Sequence, residues 1–132
     1  MKKDIPTHKV TDIAVAITPK GNEEEFWDVF LLNLKQVEIK NVLITSRGYG
    51  QLDGAKVETT KLRYFYEVIL PNMAVKVELI DPKLFGLANE YWISFQLDGF
   101  MYDKKYVFVN GSFLEENFTT IPIVEKQGIM IK

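Results

Sequence analysis

The stretch LRYFYEVILPNMAVKVELI, residues 62–80, joins two alternating apolar runs through Leu70, Pro71 and Asn72. In its second run Val75, Val77 and Leu79 alternate with Lys76, Glu78 and Ile80, the period of two that a half-buried strand requires. Pro71 lacks an amide hydrogen and has a fixed φ, so it ends a hydrogen-bonded ladder, and Asn72 tolerates the backbone angles of a turn. The chain is therefore expected to leave one sheet here and cross to a second.

The same alternation recurs on both sides of this crossing. Tyr91, Ile93, Phe95 and Leu97 alternate with Trp92, Ser94, Gln96 and Asp98, and further strands are expected over residues 12–18, 26–35, 39–46, 57–66 and 105–109. About seven short strands separated by turn signals indicate an all-β protein, an immunoglobulin-like antiparallel β-sandwich. The longest helical candidate, residues 82–89, has about two turns and is interrupted by Gly86. One domain is expected over residues 1–132, with residues 1–10 a mobile arm and residues 117–132 a docked tail.

Asp98-Gly99 is a two-residue hairpin signal, because both residues accept positive φ. A strict register would pair Phe95 with Tyr102 and Ile93 with Lys104, setting a lysine on the core face. The expectation is a bulge near residues 102–105 that re-phases the strand, turning Val107 and Val109 inward and Tyr106 and Phe108 outward.

The 132 residues are 47% apolar, enough for one core, and 16 basic groups against 18 acidic ones leave a net charge of -2. Such a balance gives no field to attract phosphate backbones, and Arg47 and Arg63 are the only arginines, so no nucleic-acid binding is expected. There is no cysteine, and no apolar run nears the ~18 residues of a membrane span. A cytoplasmic protein with no membrane association is the expectation.

Catalytic signatures are sparse. GYGQLDG, residues 48–54, breaks the spacing of a dinucleotide loop at Asp53 and opens no helix, so it reads as a loop between strands. His8 is the only histidine and lies in the expected arm, so a triad built on Ser46, Ser94 or Ser112 would depend on it and is not expected. Zinc would want cysteine or histidine ligands, and Glu23, Glu24 and Glu25, or Asp98 and Asp103, lack the spacing of a calcium loop. No enzyme activity, cofactor or metal is expected.

Aromatic residues on outer strand faces carry more information. Trp92 is opposite in phase to Ile93 and Phe95, and the run 26–34 is apolar on both faces. Trp92, Tyr106, Phe108 and Tyr49 are accordingly the candidate interaction residues, with the patch covered by the C-terminal tail or by a second copy.

The runs EFWDVFLLNLKQVEIKNVLITSRGYG, LANEYWISFQLDGFMYDKKYVFV and NFTTIPIVEKQGIMI resemble a family of short bacterial proteins of unknown function, many of them labelled phenylalanyl-tRNA synthetase alpha subunit. The resemblance covers nearly the whole chain from Glu25 and implies an association with translation. A class II synthetase core carries ATP-binding arginines in its motifs, and Arg47 and Arg63 lie in no match to them. The chain by itself is thus expected not to aminoacylate tRNA. The resulting expectation is a non-enzymatic interaction module with an unknown protein partner, a homodimer included. The alternatives are an accessory factor linked to tRNA charging, or a sandwich that stacks a sugar or base on Tyr49 or Trp92.

Overall fold

A computed structural model of the chain describes residues 9–21 and 25–132. These residues form ten strands: β1 (Ile13–Thr18), β2 (Trp27–Asn33), β3 (Ile39–Leu52), β4 (Ala55–Glu58), β5 (Leu62–Ile69), β6 (Met73–Ile80), β7 (Ala88–Leu97), β8 (Phe100–Phe108), β9 (Thr119–Ile121) and β10 (Lys126–Ile131). They form two antiparallel sheets packed as a sandwich, ordered β6-β2-β1-β10-β9 and β4-β3-β7-β8, with β5 also paired to β3. The strand count exceeds the expected seven for two local reasons. The run expected over 57–66 divides into β4 and β5, and residues after 117 add β9 and β10. GYGQLDG is the end of β3 and its turn into β4 instead of a free loop.

Among the described residues there is no α-helix, and no helix is long and apolar enough to cross a membrane. The helical candidate shrinks to a 3-10 turn, Pro82–Leu84, where the Asp81 carboxylate accepts from the Lys83 amide at 3.0 Å.

The chain crosses between sheets at residues 70–72, as the opening stretch implies, since β5 pairs with β3 and β6 with β2. Asn72 takes φ 52°, and its amide donates to the Lys35 carbonyl at 3.2 Å. Fully buried Asn33 secures the same corner: its amide group donates to the carbonyls of Val37, Ile69 and Leu70, and its Oδ1 accepts from the Lys35 amide. One side chain thus satisfies backbone groups of both the β2–β3 and β5–β6 crossings, which burial would otherwise leave without partners.

The core between the sheets draws Ile13, Val15, Ile17, Val29 and Leu31 from one and Ile44, Tyr91, Ile93, Phe95, Tyr106 and Phe108 from the other. A second cluster lies on the outer face of β1 and β2, where Ala14, Ala16, Phe30 and Leu32 meet Ile121. The C-terminal segment closes over this face through a γ-turn, in which the Val124 amide donates to the Pro122 carbonyl and Ile123 sits at φ 70°. A β-branched residue at positive φ is strained, and burial of Ile121 and the face below it offsets that strain.

Two strand phases differ from simple alternation. Between β2 and β6 the register shifts at Val29/Phe30, an irregularity that inserts Val77 as an extra residue. Past it Glu78 and Ile80 point between the sheets and Leu79 points to solvent, the reverse of the expected phase. In the β7–β8 hairpin the strict register holds through Asp98 (φ 53°) and Gly99 (φ 80°), with Phe95 opposite Tyr102 and Ile93 opposite Lys104. The expected bulge is absent. Lys104 runs along the core face until its ammonium donates to the Lys132 carbonyl at 3.0 Å, passing 5.1 Å from the Tyr106 ring centre.

Candidate interaction face

Alternation along β5, β3, β7 and β8 gives this sheet an outer face on which Phe65, Leu43 and Trp92 stand on neighbouring strands. They are 61%, 38% and 43% exposed, a contiguous apolar strip of the kind a lone soluble chain tends to bury. Leu43 lies opposite Phe65 and Ser94, and Thr45 lies opposite Arg63 and Trp92. A shallow hollow of 250 Å³ opens between Leu43, Thr45, Trp92, Ser94 and Asp103. The Lys105 ammonium sits 4.7 Å from the Trp92 ring centre, covering one face of the indole by a cation–π contact.

One border of the face is a fixed polar cluster. Glu90, only 6% exposed, accepts from Arg47 Nε and from the Tyr49 hydroxyl, each at 3.3 Å, and the Arg47 guanidinium lies 4.6 Å from the Tyr49 ring centre. Pairing with Arg47 and Tyr49 compensates a carboxylate that burial would otherwise penalise.

Trp92 and Tyr49 both stand on this face, Trp92 in the phase its alternation implies and Tyr49 on a part of β3 that was expected as a loop. Tyr106 and Phe108 do not: the strict hairpin register turns both into the core, where Tyr106 is fully buried and its hydroxyl donates to the Ile13 carbonyl at 2.7 Å. Val109 takes the outward position instead. The C-terminal segment covers the outer face of β1 and β2 on the opposite sheet and leaves Trp92 uncovered, which corrects the expectation that the tail would dock on it.

A second polar site escaped the sequence reading. Glu78 Oε1 accepts from the Ser46 hydroxyl at 3.1 Å and the Tyr64 hydroxyl at 2.5 Å, and Oε2 accepts from the Tyr91 hydroxyl at 2.9 Å. These donors come from β3, β5 and β7, so one carboxylate on β6 binds the sheets together. Burial, aided by the neighbouring carboxylate, pushes both phenols above the ordinary tyrosine range. Beside them lies a cleft of 210 Å³ lined in part by Leu62, Leu84 and Asn89. No ion pair to Glu78 occurs among the described residues. The site depends on the β6 irregularity, which leaves no trace in hydrophobic periodicity.

His8, Glu23 and Glu24 lie outside the described residues. Ser46 spends its hydroxyl on Glu78, and Ser94 faces outward beside Trp92. Compared with protein-family models, with curated proteins and with solved structures, the chain matches none of them.

Proposed function

We propose that the protein is a non-enzymatic interaction module that makes protein contacts through the outer face of β5, β3, β7 and β8. The carrying observation is the contrast between its two outer faces. The chain spends a strained turn to cover the apolar outer face of β1 and β2, yet leaves Phe65, Leu43 and Trp92 open on the other sheet. Lys105 lies against the Trp92 ring and a stacked base or sugar would have to displace it on that side, so a protein surface is the favoured partner.

We further infer an immunoglobulin-like sandwich. The support is its wiring: β1, β2 and β6 are neighbours in one sheet, β3, β7 and β8 in the other, and β5 lies beside β3. A reducing, cytoplasmic setting is proposed on the cysteine-free sequence.

Affinity capture from the native cytoplasm, with wild type and Trp92→Glu as parallel baits, tests the function. Proteins retained by the wild type and lost by the variant are expected, and a translation component among them would identify the partner class implied by the family resemblance. Identical captures by the two baits would show that the face is not used.

A further inference from the structure

We propose that this outer face pairs with the same face of a second copy, about a two-fold axis running across the strands between the levels of Leu43 and Thr45. The inference rests on reading the face as an interaction surface, and it names the partner. Ladder register sets Phe65, Leu43, Ser94 and Asp103 at one level across β5, β3, β7 and β8, and Arg63, Thr45, Trp92 and Lys105 at the next. An axis lying in the face and crossing the strands keeps each strand against its own copy and exchanges the two levels. Asp103 then meets Lys105 of the second copy, twice by symmetry. Phe65 meets the Arg63 guanidinium, and each indole meets the hollow beside Ser94.

Charge selects this axis. The other in-plane axis, parallel to the strands, would keep the levels and exchange β5 with β8, setting Arg63 against Lys105 of the second copy and repelling both. Aligned sheets pack about 10 Å apart with a rotation near 30°, an offset that the long lysine and arginine side chains span. Glu90 takes no part in the pairing, because Arg47 and Tyr49 already hold it at the border. Four strands ~4.8 Å apart, each contributing about seven residues of ~3.4 Å, give roughly 450 Å² per copy and about 900 Å² in total. That is below the size of a permanent interface, so association is expected to depend on concentration.

Sedimentation equilibrium of the purified full chain, from micromolar to about 1 mM, tests the pairing. A monomer–dimer equilibrium is expected, weakened by salt. Asp103→Lys and Lys105→Asp, each of which creates two like-charge contacts, are expected to raise the dissociation constant roughly tenfold or more, and the double variant to recover it. The recovery also shows that neither single variant lost the dimer by misfolding. A wild type that stays monomeric at 1 mM overturns the proposal, as does a dimer indifferent to the single reversals or a double variant that fails to recover. A monomer whose captured partners still depend on Trp92 would remove only the second copy and leave the interaction module standing.

Discussion

The Tyr91 hydroxyl on β7 donates to Glu78 Oε2 on β6 at 2.9 Å, so the two sheets are joined through a carboxylate set beside the apolar core. Tyr91→Phe removes a donor to a charged acceptor and leaves the ring in place. The expected loss is about 1–3 kcal/mol, read from urea denaturation at neutral pH. Stability unchanged within about 0.3 kcal/mol would show that Ser46 and Tyr64 already satisfy the carboxylate.

Alkaline pH is expected to destabilise the fold. Burial raises the phenols of Tyr64, Tyr66, Tyr91 and Tyr106 above the ordinary value of 10.0. Above that value the unfolded chain has released protons that the folded chain keeps, so the stability these phenols contribute is complete below pH 10 and falls as pH rises past it. Denaturation free energies measured on either side of pH 10, together with phenolate absorbance, check this. Full ionisation of all six tyrosines near pH 10 with the fold intact would contradict it.

The phase of β8 has its own test. Tyr106→Phe deletes the buried hydrogen bond to the Ile13 carbonyl and strands that acceptor, at an expected cost of about 1–3 kcal/mol. Val109→Ser, on a residue 56% exposed, is expected to change stability by less than about 0.5 kcal/mol. The opposite ranking in thermal or chemical denaturation would mean that Val109 faces the core.

Docking of the last strand depends on Gly128. A Cβ there would collide with the Ile17 carbonyl oxygen, a backbone contact that no rotamer change relieves, and would lie 2.8 Å from Thr18 Cγ2. Gly128→Ala is therefore expected to cost more than about 2 kcal/mol and to speed amide exchange along β10 and β1. Protection in both strands equal to that of the wild type would disprove the close approach.

Sequence alone was enough for the elements whose signals are local. Period-two alternation marked the strands up to β8, though not β9 and β10 or the division of β4 from β5; Pro71 and Asn72 marked a crossing between sheets, Asp98-Gly99 marked a hairpin, and the alternation of β7 turned Trp92 outward. Tertiary structure decided the rest, because a strand's phase depends on what its far end can reach. Lys104 is tolerated on the core face since its stem reaches the Lys132 carbonyl, and that contact, invisible in β8 itself, leaves the strand free to bury Tyr106 and Phe108. Likewise the extra residue at Val77 arises from pairing with β2, and it carries Glu78 to hydroxyls supplied by three other strands. Hydrophobic periodicity records which side chains alternate; only packing between distant strands determines which of the two faces each set occupies.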